Sequence, residues 1–302
     1  MWVRGRGGQR YARDMSETVL LRRVRAFAEA DPRVRAAVLS GSRVNAAIRP
    51  DPFQDVDLTL YVRDLPSFTA DHGWIDRFGE RMILQIPVLM GAQDYDHASP
   101  ILYLMQFMDG SRLDLGLVPL ERRAEFPPES LSRVLLDKDG IFLALPEPHE
   151  GDYFPQPPSA QAFADCCNEF WWLAPYAVKG LRRGQLGYAK YHLDTLMRGE
   201  LLRMLEWAFG CRTGWARNPG KFGARFAGVL PPDWLTRLDT TYAGADAGAN
   251  WQALLAMTAL FREAAAEVAA CTGHVYPLQD DERVSAYLTR VGEEGVGQKG
   301  GL

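Results

Sequence analysis

Five prolines crowd the fifteen residues from Leu145 to Ser159: Pro146, Pro148, Pro155, Pro157 and Pro158. Each fixes its own φ and lacks a backbone N–H, so neither a helix interior nor a central strand crosses the segment. The chain is therefore expected to fold as two bodies, and the two sides differ in hydrophobic period. Residues 15–145 mix period-2 and helical patterns, residues 146–159 form a linker, and residues 160–291 are helical almost throughout. A length of 302 residues gives each body enough chain to bury its own core.

In the first body, Ser16 is placed to cap a helix in which Leu20, Val24, Phe27 and Ala28 recur at helical spacing, ended by Asp31-Pro32. The apolar run 34–39 reads as a buried strand leading into Ser40-Gly41-Ser42-Arg43. A second strand, 55–62, alternates strictly. Val56, Leu58, Leu60 and Val62 point to the core, and Asp55, Asp57, Thr59 and Tyr61 point the other way. Residues 74–79 look helical and 81–86 extended. Segments 102–108 and 111–118 flank Asp109-Gly110, a dipeptide favoured in two-residue type I′ hairpins. Leu113, Leu115 and Leu117 share one face of the second arm, and Arg112, Asp114 and Gly116 the other. These patterns predict an α+β chain: a mixed β-sheet flanked by helices, then an all-helical body with helices over 160–183, 188–209, 232–240 and 250–271.

The chemistry concentrates at Gly41-Ser42, Asp55-x-Asp57 and Asp114. Residues i and i+2 of a strand share a face, so Asp55 and Asp57 aim at one point. Two hard oxygens side by side suit Mg²⁺, which binds one or two carboxylates plus substrate phosphates. Alone, a D-x-D is more often a solvated strand face. Its company changes the reading: a glycine-serine turn after a buried strand presents N–H groups and a hydroxyl to phosphate. Asp114 is a third acid, set among leucines. Pairing with Arg112 looks awkward because i and i+2 neighbours along a strand are well separated. Three converging carboxylates then call for a divalent cation.

On the helix after Ser159, Asp165, Glu169, Trp172, Tyr176 and Lys179 share one face, opposite Phe163, Cys167, Phe170, Leu173 and Ala177. Acids suit guanidinium or ammonium groups, aromatics pack on sugar rings or cations, and Lys179 suits a phosphate. The plain alternative is a wet helix face with Trp172 in the core. Pro175 is expected to kink this helix. Tyr188, His192, Thr195 and Gly199 make a second stripe, although a lone histidine is more often structural.

Taken together, GSR, FQDVDLTLYV, DRFGERMILQIP, DGSRLDLGLVPL, VLLDKDG, DCCNEFWWLAPYAVKGL, YAKYHLDTLMRGELLRMLEW and DDERVSAYL resemble the aminoglycoside 6-adenylyltransferase (streptomycin adenylyltransferase) family of nucleotidyltransferases, over residues 16–290. The resemblance implies a nucleotidyltransferase core and a helical substrate domain. It implies transfer of AMP from ATP to a hydroxyl of streptomycin, with Mg²⁺ as cofactor and pyrophosphate released. Asp55, Asp57 and Asp114 would then be catalytic and metal-binding, with Asp114 either a second-metal ligand or the acceptor of the hydroxyl proton. Gly41, Ser42, Arg43 and Lys179 would meet the nucleotide, and Glu169, Trp172, Tyr176, Tyr188 and His192 the cationic aminoglycoside. Another small molecule or a protein as acceptor, or a non-catalytic nucleotide-binding module, are the competing readings.

Composition narrows the partners. A net charge of -4 argues against a nucleic-acid partner, and no apolar run reaches the roughly 18 residues of a membrane span. Cys166 and Cys167 are adjacent, Cys211 and Cys271 stand apart, and no C-x-x-C occurs, which points to a reducing, cytoplasmic setting. Residues 1–14 carry four Arg and no apolar run, so they read as a flexible leader rather than a signal, and 292–302 as a flexible tail. A monomer or weak homodimer is expected.

Overall fold

Thr18 caps the first helix, α1 (Val19–Ala30), its hydroxyl accepting from the Leu21 N–H at 3.2 Å. Ser16, the expected cap, lies outside the described residues, as do the leader 1–14 and the tail from 294. The computed structural model describes residues 18–91, 95–97, 99–142 and 145–293, in two units that divide between Asp152 and Tyr153. Leu20, Leu21, Val24, Phe27 and Ala28 form the buried stripe of α1.

Six strands follow: β1 (Val34–Ser40), β2 (Val56–Val62), β3 (Arg81–Gln85), β4 (Ile101–Phe107), β5 (Arg112–Pro119) and β6 (Ser132–Asp137), with a short helix α2 (Pro66–Thr69) after β2. They lie in the order β3-β4-β5-β2-β1-β6. Only β2 and β5 pair in parallel, so the sheet is mixed. One face is fully covered: Val56, Leu58, Leu60 and Val62 join Leu113, Leu115, Leu117 and the α1 stripe in a single core. Burying each such side chain contributes about 1.5–3 kcal/mol, so the alternation pins the strand register.

The second face departs from the expectation. Tyr61 is on it but buried, packed with Ala36, Val38 and Val118 beneath Ile141 and Phe142. The Asp137 carboxylate accepts from the N–H groups of Ile141 and Phe142 at 3.0 and 2.8 Å and holds that cover down. Only the end of β2 that carries Asp57 stays open. The hairpin also differs. Its loop holds Met108, Asp109 and Gly110, with Phe107 N–H donating to Ser111 O and Gly110 N–H to Phe107 O, both at 2.9 Å. Only Gly110 (φ 82°) has positive φ, whereas a type I′ turn needs it at both central residues. The connection is a three-residue loop ending in a left-handed glycine.

The second unit is helical: α3 (Ala160–Arg182), α4 (Leu186–Lys190), a π-helical stretch Tyr191–Met197, α5 (Arg198–Thr213), α6 (Pro232–Thr240), α7 (Ala247–Thr272) and α8 (Leu278–Glu293). Phe163, Cys167, Phe170, Leu173 and Ala177 are buried as the spacing predicts, and α3 runs on through Pro175. Gly180 allows α4 to approach, since a Cβ there would stand 2.7 Å from the Ala189 nitrogen. Phe170 stacks on Phe261 with ring centroids 3.7 Å apart.

Cys211 and Cys271 do not stand apart: they form a disulfide with Cα atoms 6.1 Å apart. Helices α5 and α7 pack side by side and bring together residues that sequence spacing separates. Cys166 and Cys167 are free and buried. No helix among the described residues is long and apolar enough to cross a membrane.

Candidate active site

Strand register lines up one residue from each strand across the sheet. Gln85 lies beside Leu104, Leu104 beside Asp114, Asp114 beside Asp57, Asp57 beside Ser40, and Ser40 beside Ser132. Asp57 and Asp114 are thus neighbours one strand spacing apart, about 4.8 Å. Asp55 sits just ahead of β2, two residues from Asp57.

Gly41 opens the 3-10 turn Gly41–Val44 directly after β1. Its φ of 74° lies in the left-handed region, and a Cβ there would stand 2.5 Å from Asp57 Oδ2. Glycine is required twice over, for the backbone and for the approach to the carboxylate. The Gly41 N–H donates to Leu131 O at 3.0 Å, which ties the turn to the segment before β6. Arg43, expected at the nucleotide, braces the loop. Its Nε donates to Asp55 O at 2.7 Å and its Nη2 to Gln54 O at 2.6 Å, fixing the backbone that carries the first acid.

Arg112 is the residue whose part the sequence reading missed. Its Nε and Nη2 donate to Asp114 Oδ1 and Oδ2 at 2.8 and 2.7 Å, and its Nη1 stands 3.4 Å from Asp55 Oδ2. Residues i and i+2 share a face of β5, and a guanidinium on its long stem spans the roughly 7 Å between them. The counter-charge among the acids is therefore built into the chain.

Asp57 is different. Among the described residues it accepts no hydrogen bond, and burial pushes its carboxyl up to about 6. The charges of Asp114, Asp55 and Glu129 push the same way, and Arg112 opposes them. No three His, Cys, Asp or Glu side chains among the described residues form a ready-made metal cage. Magnesium needs none, since it keeps waters and phosphates beside one or two carboxylates. The pair Asp55 and Asp57, with a glycine pressed against the second carboxylate, fits such an ion.

The second unit gathers the aromatic residues. Tyr176 stacks on His192 at 5.3 Å between centroids, Tyr188 lies 4.3 Å from His192, and Trp172 6.1 Å from Tyr176. Lys179 Nζ sits 4.6 Å over the Tyr176 ring. His192 is buried with Nδ1 2.8 Å from Tyr188 O, whereas Trp172 is 61% exposed and so is not core. Glu169 is exposed on the same side of α3, and Asp165 accepts from Gln161 Nε2 at 2.7 Å. Tyr191, 5.5 Å from His192, joins the cluster unforeseen. It opens the π-helical stretch, a widening common at functional sites.

Residues 15–291 match the sequence profile of the streptomycin adenylyltransferase family. The chain belongs to that family. An aminoglycoside 6-adenylyltransferase of Campylobacter jejuni is 41% identical over 268 residues, spanning 87% of this chain and 91% of the relative. One from Bacillus subtilis (strain 168) is 35% identical over 266 residues, spanning 86% and 92%. The crystal structure of an aminoglycoside 6-adenyltransferase from Bacillus subtilis aligns at 30% identity over 88% of this chain and 94% of that one, with a TM-score of 0.44. As a member of the streptomycin adenylyltransferase family, the chain is an adenylyltransferase enzyme.

Proposed function

We propose that the enzyme transfers AMP from ATP to a hydroxyl of an aminoglycoside, with streptomycin as the acceptor, Mg²⁺ as the resident ion and pyrophosphate as the leaving group. The observation that carries this reading is the row Ser40–Asp57–Asp114, with the Gly41 turn pressed against Asp57. Asp55 and Asp57 hold the ion, which when bound offsets charge on the α-phosphate and the departing pyrophosphate. Ser42 meets the β- and γ-phosphates with its hydroxyl and N–H.

Asp114 orients the attacking hydroxyl. Arg112 grips both its oxygens, which fixes the carboxylate in place and leaves lone pairs directed to accept from that hydroxyl. The hydroxyl oxygen bonds to the α-phosphorus as its proton passes to Asp114. The bond to the bridging oxygen breaks, and pyrophosphate leaves in line. Trp172, Tyr176, Tyr188 and His192 supply stacking faces for the acceptor, Glu169 a charge for its cations, and Lys179 a charge for the phosphates.

Steady-state kinetics with ATP, Mg²⁺ and streptomycin, each varied separately, test the reading. Wild type releases pyrophosphate only with an aminoglycoside present. Glu169→Gln raises the KM for streptomycin by about ten- to a hundredfold, the size of a lost charged hydrogen bond. Lys179→Met lowers kcat and weakens ATP. Pyrophosphate release with no aminoglycoside tested would point to another acceptor.

A further inference from the structure

In-line displacement fixes an order along one axis: leaving pyrophosphate, α-phosphorus, attacking oxygen. The transverse row of the sheet has a matching order. From β1 toward β3 it runs from Ser40 and its glycine turn to Asp57, Asp114, Leu104 and Gln85. With the pyrophosphate at Gly41-Ser42 and the attacking hydroxyl at Asp114, the body of the acceptor extends beyond Asp114, over β4 and β3.

That part of the sheet carries an open groove of about 650 Å³, within the 300–1,000 Å³ typical of small-molecule sites. Ile83, Ile86, Leu89, Met90 and Leu104 wall it, and Arg112 closes the end next to the acids. Ile83, Leu89 and Met90 are 59%, 39% and 62% exposed, so this apolar surface has no cover among the described residues. Gln106 lies beside Arg112 in register, and its amide makes no hydrogen bond among the described residues. Gln85 Nε2 has only the weak acceptor Met90 Sδ, at 2.9 Å. No carboxylate among the described residues lines the groove, and Arg112 is already paired with Asp114 and Asp55. Such walls offer an ammonium or guanidinium group no counter-charge. They suit the C–H face of an uncharged, hydroxyl-bearing ring, with the glutamine amides reaching its hydroxyls.

Resting on the adenylyl-transfer reading, we propose that this groove is an acceptor subsite, seating an uncharged sugar ring on the β3–β4 side of Asp114. Gln106 and Leu89 set specificity there and take no part in the chemistry. Gln106→Leu and Leu89→Ala, both at exposed positions, are compared with wild type in kinetics that vary ATP and streptomycin separately, with melting midpoints as the check on folding. Each variant is expected to raise the KM for streptomycin about three- to tenfold, the size of one lost neutral hydrogen bond or apolar contact. The KM for ATP and kcat at saturating acceptor stay unchanged. A raised KM for ATP instead would seat the nucleoside in the groove and overturn the proposal. Unchanged constants for both substrates, in variants of an active wild type, overturn the proposal alone. A wild type that adenylylates no aminoglycoside overturns the reading beneath it as well.

Discussion

Asp57 is a strained charge in the free enzyme. Its folded pKa of about 6 lies above the ordinary 3.8, chiefly because it is buried and then because other carboxylates face it. Below about pH 4 the group is protonated in folded and unfolded chains alike and costs nothing. Between 4 and 6 the unfolded chain ionises first, and above 6 the whole penalty is present, roughly 3 kcal/mol for about two pK units. Asp57→Asn removes the charge and keeps the shape. It is expected to abolish turnover yet raise the melting midpoint at pH 7, with little change at pH 4. On the Mg²⁺ reading proposed above, Mg²⁺ is expected to raise the midpoint of wild type and to leave that of the variant alone. Calorimetry at both pH values, with and without Mg²⁺, checks this. A variant no more stable than wild type at pH 7 would mean that the carboxylate carries no such strain.

At the scale of an element, the turn after β1 is the part least tolerant of change. Gly41→Ala sets a Cβ at 2.5 Å from Asp57 Oδ2 and holds alanine at a φ of 74°, a conformation costing about 1–2 kcal/mol. Displacement of the carboxylate by even an ångström lowers kcat by about a hundredfold. Single-turnover rates and urea unfolding measure the two effects, and near-native turnover would mean that Asp57 has freedom to move. Local pattern made much of this legible beforehand. The alternation 55–62, the stripe of α1 and the Asp114 face of β5 follow from period and burial alone. Long-range events stayed hidden. Tyr61 is buried by Ile141 and Phe142, eighty residues on, and β6, buried only at Ser132, shows no clear alternation. Arg112 lies on the face that the period of β5 predicts, but strand spacing does not show the reach of its side chain to Asp114. One extra loop residue decided the hairpin turn, where the dipeptide signal pointed to the shorter form.

Over the whole molecule, each of the two units is held together internally by its own means. The first rests on sheet register, while the second adds a covalent tie between Cys211 and Cys271, separated by 60 residues. Closing a loop of that length stabilises by about 2–4 kcal/mol. Cys211→Ser is expected to lower the unfolding midpoint of the helical unit in non-reducing buffer and to match wild type once a reductant is added. Thiol titration of the denatured, unreduced wild type should find two thiols, those of Cys166 and Cys167, and a count of four would show the pair unbonded.

The parallel pairing of β2 with β5 has a consequence for how the site comes into being. Parallel neighbours cannot be joined by a tight turn, and fifty residues separate Val62 from Arg112. Asp57 and Asp114 therefore meet only after the chain has closed that long excursion, one of the slower steps available to it. Arg112 travels on the same strand as Asp114, two residues ahead of it. The neutralising charge arrives in the same event that brings the two acids face to face. No stage of assembly has to bear their repulsion alone, and nothing short of the finished sheet brings the two acids and their arginine together.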